Sequence, residues 1–220
     1  MGAGGLPTRL MAMALVVPGA AAGDRFAAVA RGRLEVTEGR LEGADRLLRV
    51  EVAKLRAVAP GADGSAAELR FTYLGPTREA APLRSGELRE QLGLKLRAAD
   101  GCNVLYAMWR LAPRAGVVVS VKRNPGQNRS RDCTNHGYRN VKPLHERPVP
   151  SLGPGSAHVL AAMVRGDRLE VRVDGAVVWE GTLPDDALEL RGPPGLRTDN
   201  VRLDFEFAAT SGRGPDGAAR

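Results

Sequence analysis

The chain has 220 residues, of which 43% are apolar and 26% charged, with a formal net charge of +7. That apolar fraction excludes a disordered chain, and about 200–250 residues is an ordinary size for one β-sandwich or barrel. With 4% aromatics the core must rest mainly on Leu, Val and Ala, and the basic balance permits an acidic polysaccharide, a membrane surface or nucleic acid as partner without specifying any reaction.

The first residues have the layout of an export signal. Arg9 gives a small positive region, Leu10 to Val17 an apolar run, Pro18-Gly19 a break, and Ala20-Ala21-Ala22 a small-x-small cleavage site before Gly23. The expected division is a signal peptide over 1–22, one β-sandwich domain over 23–209 and a polar, Gly-rich disordered tail over 210–220. No segment is apolar enough to insert into a membrane, which takes about 20 residues. The product is expected to be secreted or held at the periplasm or cell envelope.

Arg33 to Thr37 and Leu47 to Leu55 are the first strand candidates. In the second, Leu48, Val50 and Val52 alternate with Arg49, Glu51 and Ala53, although the composition of 45–58 also suits a helix. Pro60 to Ser65 reads as a loop and Glu68 to Leu74 as a strand with Leu69, Phe71 and Tyr73 on one face. Ser85 to Asn103 follows. At period 2, Leu88, Leu92, Leu94, Leu96 and Ala98 share a face, and Glu87, Arg89, Gln91, Gly93, Lys95 and Arg97 form a polar row on the other. Such a row is either a solvated outer face or the lining of a saccharide groove.

Val104 to Leu111 has little alternation, as in a strand buried on both faces, and Val117 to Lys122 is β-branched. Asn124 to Pro154 is a long irregular excursion. Cys133 within it and Cys102 before it are the chain's two cysteines, and an even pair in an exported domain predicts a disulfide that orders this loop. Closing it stabilises the fold by about 3–4 kcal/mol in the chain-entropy treatment. Tyr138 is the loop's exposed aromatic, among Lys122, Arg123, Arg129, Arg131, Arg139 and Lys142; export favours an acidic glycan over nucleic acid as ligand of that basic cluster.

Ala157 to Arg165 restarts the sheet. Arg168 to Val173 alternates, turns at Asp174-Gly175 and runs back, a strong hairpin pattern. The last run places Val201, Leu203, Phe205 and Phe207 opposite Arg202, Asp204 and Glu206. Together these runs predict about ten strands and an all-β fold, a two-sheet antiparallel β-sandwich of jelly-roll type.

Two cysteines and three histidines (His136, His145, His158) have no metal-site spacing, so no metal or other cofactor is expected. Asp174, Asp199 and Asn200 are the oxygen-bearing candidates for calcium, but turns explain them equally well. Trp109 and Trp179 lie in apolar runs and read as core. Glu87 and Glu90, three apart in a strand, would point to opposite faces and could not flank one glycosidic bond. No GxSxG occurs.

The motif LEVRVDG followed by GPPGLRTDN and a closing alternating strand resembles the C-terminal part of concanavalin A-like lectin/glucanase domains, nearest the bacterial 3-keto-glycoside hydrolase-like group. The matching positions are Leu169, Val171, Val173, Asp174 and Gly175, then Gly192, Gly195, Leu196, Arg197, Asp199 and Asn200. The resemblance spans Arg168 to Phe207 and implies a sandwich in a carbohydrate-related setting. A shorter run, Arg84 to Glu90, is similar to the R-S/T-E-L-R-E strand of jelly-roll alginate lyases, with Gly86 as an extra residue. It implies Arg89 as a clamp on a uronate carboxylate, but the partner Gln-Ile/Val-His and Tyr-x-Lys-x-Gly-x-Tyr strands are absent.

The expectation is therefore an exported sandwich that binds carbohydrate without turnover, with Glu87, Arg89, Gln91 and Lys95 along a groove and Tyr138 above it. The alternatives are a glycoside hydrolase or lyase on the same fold, and a structural envelope protein with no sugar site. Catalytic residues and oligomeric state are not legible.

Overall fold

The computed structural model describes residues 26–211. The leader expected over 1–22 lies outside them, as does the tail from 212 onward. Thr210 and Ser211, assigned to the tail by composition, are instead the last residues of a strand.

Among the described residues, sixteen strands form two antiparallel sheets. The nine-stranded sheet has the order β11 (His145–Glu146), β14 (Ala176–Thr182), β13 (Arg168–Val173), β12 (Ala157–Arg165), β6 (Ala62–Pro76), β16 (Val201–Ser211), β4 (Leu47–Val50) and β3 (Glu42–Ala44), with β1 (Ala27–Ala28) also on β16. The seven-stranded sheet has the order β10 (Tyr138–Asn140), β9 (Gly116–Lys122), β8 (Val104–Ala112), β7 (Glu90–Leu96), β15 (Gly195–Asp199), β5 (Lys54–Val58) and β2 (Glu35–Glu38). Two one-turn helices, α1 (Ser130–Cys133) and α2 (Asp185–Leu188), sit in connections. Among the described residues no helix is long and apolar enough to cross a membrane.

The period-2 pattern decides which face each strand buries. Leu69, Phe71 and Tyr73 of β6, Leu203, Phe205 and Phe207 of β16 and Leu160, Leu169 and Val171 of β12 and β13 meet Leu92, Leu94, Leu105, Ala107, Trp109, Val119 and Leu196 of the facing sheet in one core. Trp109 and Trp179 are both core residues, and Phe71 meets Trp109 edge-on at 5.8 Å. At the β13–β14 turn, Asp174 (φ 50°) and Gly175 (φ 81°) both adopt the left-handed conformation required of a two-residue hairpin loop.

Several expectations are corrected. Leu47 to Leu55 is not one strand: the chain breaks at Glu51–Ala53, leaving β4 in one sheet and β5 in the other. The alternation continued across a crossover, which periodicity alone cannot detect. The loop expected over Pro60 to Ser65 is largely the start of the 15-residue β6, which takes in Ala62 to Ser65 despite their turn-like composition, with Ala62 paired to Ser211. Arg97 leaves the polar row: with φ 47° it lies just past β7 and turns to the Leu188 carbonyl at 3.3 Å. The long excursion contains α1, β10 and β11, and the Cys102–Cys133 disulfide closes it.

Candidate functional site

The outer face of the seven-stranded sheet is hollowed by a groove of about 840 Å³ that touches every one of its strands. At an inter-strand spacing of ~4.8 Å the floor is roughly 29 Å across. Register places the floor side chains. Lys95 lies between Gly195 and Tyr106, Gly93 between Arg197 and Met108, and Gln91 between Asp199 and Arg110. Arg197 pairs on its far side with Arg56, and Lys122 with Tyr138 on the edge strand. Gly93 has no room for a Cβ, which would meet the Ala107 carbonyl at 2.4 Å and the Met108 sulfur at 2.7 Å; the floor therefore lies flat between Arg197 and Met108.

Two walls bound the floor. One is the segment before β7, with Leu83, Arg84, Ser85, Glu87 and Arg89. Asn200 (φ 58°) pins it by donating to the Ala81 and Arg89 carbonyls at 3.0 and 2.9 Å and accepting the Ala81 N–H at 2.8 Å. The other wall combines Ala98 to Gly101 with Asn128, Ser130, Thr134 and Asn135, and the disulfide joins its two parts. The Lys122 ammonium donates to the Gly101 and Thr134 carbonyls at 3.1 Å each, tying that wall to β9.

Asp199 is the electrostatic centre beneath the floor. Its carboxylate is completely buried and accepts from Arg56 at 2.5 Å, Gln91 at 2.6 Å and Arg197 Nε at 2.8 Å. Burial pushes its pKa up, but Arg197, Arg56 and the Gln91 amide overcome that and hold it at about 2. Burial likewise opposes the charge on Arg197, and Asp199 restores it, leaving the guanidinium firmly protonated. Arg197 also lies over the Tyr106 ring at 5.0 Å and donates to the Tyr138 hydroxyl at 3.3 Å. Tyr106 is buried, its phenol pushed up to about 12 mainly by desolvation, and Tyr138 stacks on it at 6.1 Å while staying 39% exposed.

Lys95 is different. It is 5% exposed and lines the groove, yet no hydrogen bond or ion pair reaches its ammonium among the described residues. Desolvation, then repulsion from Arg56 and Arg197, lowers its pKa to about 8.

All five residues expected at the site, Glu87, Arg89, Gln91, Lys95 and Tyr138, line this one groove. Only Gln91 and Lys95 stand on the strand as read. Glu87 and Arg89 precede β7 and form an ion pair with each other, and that pairing holds the Glu87 carboxyl below its usual range. Tyr138 is on β10, an edge strand, rather than on a loop above the sheet. The basic cluster around the loop does not form one patch. Lys122 faces the groove, whereas Arg123 reaches Glu189, Arg131 lies near Asp132 and Arg139 chelates Asp186.

The calcium candidates are engaged elsewhere: Asp174 with His158 at 2.6 Å and the Val159 N–H, Asp199 with two guanidiniums, Asn200 with the wall. The turn explanation of Asp199-Asn200 is replaced by these floor and wall roles. Among the described residues no group of three or more His, Cys, Asp or Glu is gathered as for a metal ion.

The sequence reading missed Arg56, Arg197, Asp199 and Tyr106 as parts of the floor. The alternation inside GLRTDN carried a signal, since Arg197 and Asp199 must share a face opposite Leu196 and Thr198.

Fold and groove define a class: a two-sheet antiparallel β-sandwich of jelly-roll type with a polar, basic channel across one sheet. Solved structures agree on the fold. A carbohydrate binding module, CBM66 from Bacillus subtilis, superposes with TM-score 0.52 and 15% identity, over 79% of this chain and 91% of its own. The exoplasmic/lumenal domain of VIP36, in its calcium- and Man3GlcNAc-bound form, superposes with TM-score 0.50 and 13% identity, over 84% and 87%. No family model and no curated protein matches the chain.

Proposed function

We propose that the protein binds carbohydrate in this groove without turning it over, and that the glycan is acidic. The observation that carries the reading is the groove itself, an elongated floor of aromatic, amide and cationic side chains between two anchored walls. Tyr138 offers a ring face for stacking, Gln91 and Arg197 hold the floor rigid, and eight Lys and Arg side chains against four carboxylates line the space. The two comparison structures, a carbohydrate binding module and a sugar-bound domain, share the fold and support the same reading.

Binding rather than hydrolysis is favoured by the state of the nearby acids. Asp199 has both oxygens taken and is held ionised at about 2, so it has no proton to give near neutrality and no room to attack a sugar. Glu87 is committed to Arg89. The disulfide fits an oxidising compartment and supports export to the cell envelope.

The test is a glycan array followed by calorimetric titration of the best ligand and chain-length analysis of what is recovered. The expected result is saturable binding, ligand of unchanged length, and an affinity about three- to tenfold weaker in Tyr138→Ala, the worth of one aromatic contact. Shortened ligand, or no bound glycan, overturns the proposal.

A further inference from the structure

A buried cation with no partner is costly unless something arrives to pair it. On this floor the guanidiniums of Arg56 and Arg197 are satisfied internally, whereas Arg110 of β8, which also lines the groove, keeps a buried Nε with no partner among the described residues. Arg56 donates to the Leu55 and Thr198 carbonyls and to Asp199, and Arg197 to Asp199 and Tyr138. The Lys122 ammonium has two carbonyls. Lys95 has none of these, although its neighbours on β7, β8 and β15 leave it almost fully enclosed from the sides. Glu35 and Glu38 stand at the β2 rim, and Glu38 is turned to Arg56, at 3.8 Å.

We propose that Lys95 is the seat for one carboxylate of the ligand, so that the groove takes a glycan carrying free carboxyl groups, a uronan, in preference to a neutral or sulfated chain. This rests on the glycan-binding reading above and narrows its substrate class. A lone ammonium is a compact point charge with three donors, matched best by a carboxylate, whose single charge is shared by two oxygens and makes each a stronger acceptor than the three weakly basic oxygens of a sulfate ester. A ring whose carboxylate sits on Lys95 at the centre of the floor places the next rings of a linear chain toward Tyr106 and Tyr138 on one side, and toward Arg56 and the β2 rim on the other. The long open floor therefore suits an internal stretch of polymer.

Calorimetric titration of the full chain with oligomers of galacturonate, mannuronate, guluronate and glucuronate, each as free acid and as methyl ester, tests this. Esterification removes the charge and keeps the sugar. Dextran sulfate supplies anionic charge without carboxylate. The expected result is that a free acid binds about tenfold or more tightly than its own ester and more tightly than dextran sulfate, as for one charge-assisted contact. In Lys95→Met the acid-to-ester ratio should fall to about one.

Equal affinity for acid and ester in the wild-type protein overturns the seat and leaves glycan binding standing. So does a ratio that survives Lys95→Met, tighter binding of dextran sulfate, or binding of neutral glycans alone. Absence of all glycan binding overturns both readings together. The wild-type ratio does not depend on the variant folding.

Discussion

Replacing Lys95 by methionine should make the unliganded protein more stable. The side chain keeps nearly its length and volume but loses the ammonium of a residue that is 5% exposed, a charge unpaired among the described residues. Its pKa of about 8, against an ordinary 10.5, measures the penalty. A tenfold loss of proton affinity corresponds to ~1.4 kcal/mol, so at neutral pH the charge costs the fold on the order of 3 kcal/mol. The sign follows from proton counting. Between about 8 and 10.5 the unfolded chain holds a proton that the folded chain has released. Wild-type stability therefore gains across that window, and the penalty is fully present below it.

The variant should start higher, by up to ~3 kcal/mol or roughly 5–10 °C in melting temperature for a chain of this size, and should lack the alkaline gain. Urea unfolding of both proteins at a series of pH values from about 6 to 10.5 reads both effects. A variant no more stable than wild type at neutral pH, with the same alkaline profile, would refute the reasoning that Lys95 is an uncompensated buried charge. A residue that weakens the fold but stands at the centre of a groove is what a binding role predicts.

Two further outcomes concern the frame of the groove. Asp199→Asn should cost about 3–5 kcal/mol, because it leaves Arg56 and Arg197 buried without their shared carboxylate. In the wild type the Asp199 contribution is present above the ordinary carboxyl value of 3.8 and is lost as pH falls toward about 2; acid titration of stability should show that loss in the wild type and not in the variant. Reducing the Cys102–Cys133 disulfide, or replacing both cysteines by serine, should cost about 3–4 kcal/mol and weaken ligand binding, because the wall built from Gly101 and Thr134 loses its tie. Equal stability and affinity in the reduced protein would contradict the wall's role.

Much of the sandwich was legible because its strands obey period 2 over long runs. β16 and the β13–β14 hairpin could be read with their buried faces, and Asp174-Gly175 with its turn, because both properties are local. The misread places share a cause, which is that tertiary position overrode local pattern. Glu51 to Ala53 continues an alternation, yet the chain changes sheets there. Ala62 to Ser65 has loop composition, yet it extends β6 and meets the end of β16 at Ser211.

The site was legible in part for the same reason. Gln91 and Lys95 follow from alternation on β7. That Arg197 and Asp199 stand beside them, with Arg56 one strand further, depends on β15 inserting between β7 and β5, a pairing between stretches of chain far apart in sequence. The functions of Asp199 and Asn200 were hidden by their own local plausibility. Each suits a turn, and only the assembled sheet shows one holding the floor and the other a wall.

The most direct measurement of the central claim is a backbone-amide NMR titration of the protein with the best-binding oligosaccharide. The groove account expects shift changes confined to the seven-stranded sheet, from β10 across to β5 and β2, and to the two walls, centred on Lys95 and Tyr138, with the nine-stranded sheet unperturbed. Changes mapping instead to the outer face of the nine-stranded sheet, or none at saturating ligand, would contradict it.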